Sequence, residues 1–194
     1  PLYSSAASDV YKRQEKAIEK AKGGAGENFE LARYEGYGPG NCMVIIECLT
    51  DNPSRTFNDV RLCFSKTKTK IGTQGSVSHM FDHLTILMFS GQDEEAVLDA
   101  LLLADVDVVD IENEEGMLTV FAPHTESFKA KKSLNDSFGE IEYEVDEIQF
   151  IAQNTAPLVG DDVETFETFT AMLNDLDDVP VSYTHLTLPT NREV

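Results

Sequence analysis

Four groups of residues in this chain have the types and spacing to do chemistry. The stretch "RYEGYGPGNC" (33–42) packs three glycines and a proline ahead of an apolar run. A phosphate cradle needs glycines that lead into a helix N-terminus, often with a lysine placed on the phosphates. Here "GYGPGN" leads into a strand-like run, Pro39 removes an amide donor, and the glycines miss the GxGxxG spacing. The stretch reads as a strand-to-strand turn. Tyr34 and Tyr37 could stack on bases, but packing is the commoner use of strand tyrosines. His79 and His83 have HxxxH spacing, yet they sit in an extended stretch with only Asp82 beside them. No metal site is expected there. Cys42, Cys48 and Cys63 form no CxxC pair and lack a base partner, so they read as small core residues in a reducing compartment. His124 reads as structural, at a helix start.

The remaining group is basic: Arg55, Arg61, Lys66, Lys68 and Lys70. A helix and the loop after it could present all five, each neutralising one phosphate. Against this stands a formal charge of −20, which argues against nucleic acid when taken alone. The distribution qualifies that. Residues 133–179 hold 13 Asp and Glu and no Lys or Arg, so a polyanion must meet the earlier part of the chain.

The elements that position these residues follow from pattern. Phe29–Tyr37 reads as a strand and Cys42–Leu49 as a second, buried on both faces. Asn52 suits a helix N-cap and Pro53 the first helical position, with Phe57, Val60 and Phe64 as the apolar stripe and Arg55 and Arg61 outward. A polar loop "KTKTKIGTQG" precedes a strand over Ser76–Phe81. Then come a strand at Leu84–Phe89, a helix at Asp93–Ala104, strands at Val106–Ile111 and Met117–Ala122, a helix at Thr125–Phe138 and a strand from Ile141 with a bulge near Asp146. That βαββαβ order is a ferredoxin-like unit. RNA-reading versions carry aromatics on their central strands, and here Phe121 alone meets that pattern, so the unit reads as a scaffold or protein-contact module. A last helix follows "QNTAPLVGDD", with Val163, Phe166, Thr170 and Leu173 at helical spacing. It is expected to return to the first β-β-α-β segment.

The predicted fold class is α+β: a discontinuous α+β domain with an inserted ferredoxin-like domain, and an N-terminal helical domain mostly missing. Domain boundaries are expected at 15–27 (end of the helical domain), 28–82 with 153–179 (discontinuous domain) and 83–152 (insert). Residues 1–14 and 180–194 resemble translated sequencing-adapter read-through and are set aside, although "VSYTHLTL" is rich in β-formers. The chain is expected to be a truncated fragment.

"RYEGYGPG" (33–40), "ECLTDNPSRT" (47–56), "GTQGSV" (72–77), "QNT" (153–155) and "DLDDV" (175–179), in this order, resemble the YebC/PmpR family, whose relatives include the mitochondrial translational activator of cytochrome c oxidase subunit I. The resemblance implies three domains, one inserted in another, and a final strand after "DLDDV", where this chain has "PVSYTH". It implies no enzymatic activity and no cofactor. It implies a regulator of gene expression acting through nucleic acid, a DNA-binding transcriptional regulator. The alternatives are a ribosome-associated translation factor that meets ribosomal RNA and, from another class, a small-molecule-binding regulatory module. A cytoplasmic location is expected, with no membrane partner. "SKTKTKIG" is more basic than the loop that many members carry at that place.

Overall fold

A computed structural model describes residues 29–184 and 186–187. The helix end expected at Glu15–Lys22 and the first adapter-like segment lie outside the described residues. The chain divides into two compact units, Pro1–Met80 with Ala152–Val194, and Phe81–Ile151.

In the first unit, β1 (Glu30–Tyr37) and β2 (Met43–Thr50) form an antiparallel hairpin with Arg33 opposite Glu47 and Glu35 opposite Ile45. The sheet order is β3-β1-β2-β9, where β3 is Lys70–Ile71 and β9 is Val181–Thr184. Two helices, α1 (Pro53–Lys66) and α4 (Asp162–Asn174), supply the rest of its core. Val44, Ile46 and Cys48 from β2 meet Val60, Cys63 and Phe64 from α1, and Phe166, Phe169 and Leu173 from α4. The Phe64 and Phe169 rings meet edge-on with centroids 5.0 Å apart. The last helix does return to the first segment. A short parallel pair, β8 (Ala156–Pro157) with β10 (Leu186–Thr187), completes this unit.

Residues 181–184 belong to the stretch set aside as adapter-like, yet they pair antiparallel with β2 over Val44–Glu47. The open edge of β2 offers unpaired amides and carbonyls, and an adjacent β-prone segment satisfies them.

The second unit runs β4 (Phe81–Ser90), α2 (Glu94–Leu103), β5 (Asp110–Glu114), β6 (Met117–Pro123), α3 (Ser127–Phe138) and β7 (Val145–Ala152). Its sheet order, β5-β6-β4-β7, is the ferredoxin-like order. Leu87 and Phe89 of β4, with Leu118, Val120 and Ala122 of β6, pack on Val97 and Leu101 of α2 and Ala130 and Leu134 of α3. The Asp93 side chain caps α2 by accepting from the Ala96 amide. Glu115 and Gly116, at φ 53° and 88°, form the two-residue turn between β5 and β6; positive φ at both positions is what a type I′ hairpin requires.

Several elements differ from the sequence reading. Ser76–Phe81 is not a strand: Ser78–Met80 is a 3-10 turn and the strand begins at Phe81. The strand expected at Val106–Ile111 starts at Asp110, because Val106 and Val108 turn into the core beneath the helices. The strand expected from Ile141 starts at Val145. Ile141 and Tyr143 pack against the same core ahead of the strand. On α1 the buried stripe is Thr56, Val60, Cys63 and Phe64. Phe57 is half exposed and lies against the Tyr34 ring at 5.8 Å.

Candidate nucleic-acid interface

The basic residues are presented by α1 and by the turn that ends it. Asn52 caps the helix by accepting from the Arg55 amide, with Pro53 next to it. At the other end "KTKTK" alternates in role. Thr67 Oγ1 donates to the Cys63 carbonyl at 3.0 Å, and Thr69 Oγ1 donates to the Phe64 carbonyl at 3.1 Å. The threonines close the helix end, so Lys66, Lys68 and Lys70 point away and are exposed. Lys68 takes φ 58°, the left-handed turn that stops the helix. Among the described residues no ion pair engages these three lysines.

The five basic residues are not one cluster. Helical spacing puts Arg61 about 120° around α1 from Arg55. Arg55 is already committed: its Nη2 lies 2.7 Å from Asp51 Oδ1 and 2.9 Å from Asp178 Oδ2. Those hydrogen bonds, Asp178 first, push the guanidinium above its ordinary pKa and neutralise its charge locally. Lys66 and Lys68 do come together. They line an open groove with Gly38, Pro39, Gly40 and Asn41 from the glycine-rich turn, and Asp162 at the start of α4.

That turn is a structural device first. Gly38 N–H donates to the Cys42 carbonyl at 2.8 Å, and Cys42 N–H to the Pro39 carbonyl at 3.2 Å. A Cβ on Gly38 would lie 2.6 Å from Cys42 Sγ, and Gly40 has φ 66°. The glycines answer to close packing and turn geometry. Tyr34 Oη donates to the Pro53 carbonyl and Tyr37 Oη to the Ser76 carbonyl, so both tyrosines brace the scaffold.

Two carboxylates that sequence reasoning passed over hold this region together. Glu35 is buried, and its carboxylate accepts from the amides of Gly75 (2.9 Å), Val77 (2.9 Å) and Ser78 (3.0 Å). Burial pushes its pKa up, but the three amides outweigh burial and hold it below the usual carboxylate value. The Glu35 carbonyl also accepts from the Gly72 amide at 2.7 Å. Thus "RYEGYG" and "GTQGSV" are two halves of one structure. Asp178 does the same for "ECLTDNPSRT" and "DLDDV". Its Oδ2 accepts from Thr56 Oγ1 (2.8 Å), Thr50 Oγ1 (3.2 Å) and Arg55, and its carbonyl accepts from the Leu49 amide at 2.9 Å. Burial again pushes up and is outweighed, here by Arg55, Thr56 and Thr50, so this carboxyl too is held low. A lone Glu flanked by strand residues carries no sequence signal for such a role. An Asp followed by a β-prone stretch carries little more.

The other candidates resolve plainly. Cys42, Cys48 and Cys63 are buried free thiols, and burial pushes Cys42 and Cys48 up to about 12. His83 stacks on His124 at 3.9 Å and on Phe150 at 4.1 Å. Among the described residues no three His, Cys, Asp or Glu side chains are placed to hold a metal ion, and no helix is long and apolar enough to cross a membrane.

Fold and surface together define a discontinuous α+β protein with a ferredoxin-like unit in its middle and an exposed lysine edge. Residues 29–186 match the family model described as TACO1/YebC second and third domain. The chain belongs to that family. It is 69% identical over 170 residues to a probable transcriptional regulatory protein of Hydrogenovibrio crunogenus, covering 87% of this chain and 71% of the relative. It is 67% identical over 169 residues, with the same coverage, to a probable transcriptional regulatory protein of a Marinomonas species. The crystal structure of a conserved hypothetical protein from Aquifex aeolicus matches with a TM-score of 0.64 at 27% identity, covering 93% of this chain and 74% of that one.

Proposed function

We propose that this protein is a cytoplasmic, non-enzymatic regulator of gene expression that works through nucleic acid, and that Lys66, Lys68 and Lys70 meet the phosphate backbone. Arg61, about 140° around α1 from Lys66, lies off this edge, and Arg55 serves to hold α1 in place. The observation that carries the reading is the alternation of exposed lysines and inward threonines at the end of α1, on a chain whose relatives are called probable transcriptional regulatory proteins. Taken as phosphate contacts, these lysines fix position without reading sequence, so the binding expected is weakly sequence-specific and steeply salt-dependent.

The same feature favours a second reading, a ribosome-associated translation factor, because a phosphate-reading edge accepts ribosomal RNA as readily as DNA. The test replaces Lys66, Lys68 and Lys70 by Glu and measures binding to duplex DNA and to ribosomes over a salt series. Each lost phosphate contact reduces the slope of log affinity against log salt by about 0.9, so the triple variant should lose roughly 2.7 on duplex DNA. An unchanged slope on both targets rejects the lysine interface. Loss on ribosomes, with no DNA binding by the parent protein, selects the translation reading.

A further inference from the structure

The groove beside Lys66 and Lys68 has a second wall of opposite character. Its volume is about 540 Å³, within the range of roughly 300–1,000 Å³ common to small-ligand sites. Lys66 and Lys68 line it from the end of α1, and Asp162 and Thr165 from the first turn of α4. Among the described residues no ion pair joins those lysines to Asp162. The Asp162 side chain is exposed and stands against the glycine-rich turn, where a Cβ on Gly40 would come within 3.6 Å of its Oδ2. Thr165 Oγ1 donates its proton to the Asp161 carbonyl at 3.2 Å, so it too has only lone pairs left to offer. An ammonium group is a donor only and an ionised carboxylate an acceptor only. The groove therefore sets donors from one element beside acceptors from another. None of its lining residues is aromatic, so it has no platform for a base.

We propose, resting on the nucleic-acid reading above, that this groove holds a ribose phosphate: Lys66 and Lys68 take the phosphate, and Asp162 accepts a hydrogen bond from the ribose 2′-hydroxyl. The chemistry of the two backbones decides the ligand. Inside a DNA strand the sugar-phosphate backbone carries acceptors only, and a carboxylate repels it. RNA adds one donor per residue, the 2′-hydroxyl. A groove with both ammonium donors and carboxylate lone pairs matches the backbone that carries both acceptors and donors. The same unit occurs in an RNA strand and in a free ribonucleotide.

The test uses the full chain and three labelled strands of equal length, about ten nucleotides: oligouridylate, oligodeoxyuridylate and 2′-O-methyl oligouridylate. All three present the same base and phosphates, and only the first has a 2′-hydroxyl proton. The first should bind about tenfold tighter than the other two, the worth of a hydrogen bond to a charged group. Asp162→Ala should abolish that difference and tighten the deoxy strand. Asp162 is exposed, so the fold is not at stake. Asp161→Ala removes a carboxylate one residue away that does not line the groove, and it should keep the preference. Equal binding of the three strands by the parent chain overturns the proposal. So does a preference that survives Asp162→Ala, or one that Asp161→Ala removes as well. Lys66→Glu with Lys68→Glu separates this inference from the wider reading. If that variant loses all three strands while the parent shows no ribose preference, the phosphate contact stands and the ribose contact falls. If it binds all three unchanged, both fall. Uridine 3′-phosphate distinguishes the two sources. Displacement of the bound oligouridylate that Asp162→Ala abolishes supports the proposal with a free ribonucleotide as ligand, and a ribose preference without displacement supports it with an RNA strand.

Discussion

Replacing Glu35 with alanine removes the acceptor of three backbone amides in one step. Val77 is fully buried, and its amide lies 2.9 Å from Glu35 Oε2. With that acceptor gone the donor is orphaned away from water, at a cost of about 1–3 kcal/mol. The Gly75 amide is on an exposed residue and Ser78 is half-buried, so both can rehydrate. Each then loses about 1 kcal/mol, the net value of a typical hydrogen bond, since water replaces the lost acceptor. Together the loss is about 4 kcal/mol, or roughly 10 °C in Tm. Amide hydrogen exchange is the direct assay. Exchange at Val77 and Ser78 should accelerate by orders of magnitude, while Phe166 and Phe169 of α4 change less. The pH dependence has a defined sign. The folded carboxyl is held below its ordinary value, so its stabilisation is present above that ordinary value and fades as pH falls through the lowered one. The gap between parent and variant should therefore close in acid. Unchanged exchange at Val77 and Ser78 in Glu35→Ala would refute the assignment of Glu35 as the anchor of this loop.

Three other outcomes are expected. Gly36→Ala should destabilise by about 1–3 kcal/mol in urea unfolding, because its Cβ would stand 2.8 Å from both the Lys70 carbonyl oxygen and Phe64 Cε1. Asp178→Asn should cost about 1–2 kcal/mol, kept modest because the Arg55 partner is half exposed; its difference from the parent should also vanish as pH falls through the lowered Asp178 value. A thiol reagent at pH 8 should leave all three cysteines unmodified in the native chain and label all three in denaturant, since the thiols are buried and burial raises their pKa values.

Much of the fold was legible because local chemistry and tertiary need coincide. Asn52-Pro53 marks a helix start by satisfying amides within three residues, and the structure uses it that way. Gly139, at φ 85°, stops α3 where the sequence placed the stop. The ferredoxin-like order followed from alternation and helical periodicity alone. The failures share a cause. Ile141–Tyr143 alternates like a strand, and Phe57 fits an apolar stripe, but neither pattern reveals which partner the segment faces. Thr56 occupies the buried place instead because its hydroxyl is needed by Asp178, 122 residues away.

The sequence by itself determined the elements, the α+β class, the family motifs and the charge imbalance, since each depends on residues close together in the chain. Only the tertiary structure decided what those motifs are for. Glu35 needs loop 72–78 and Asp178 needs the start of α1 before either carboxylate has a partner. Arg55 has Asp51 as a partner four residues away in the chain, but only the fold adds Asp178. Hydrogen bonds, ion pairs and apolar contacts act over a few ångströms of space, and a chain records only the order of its residues.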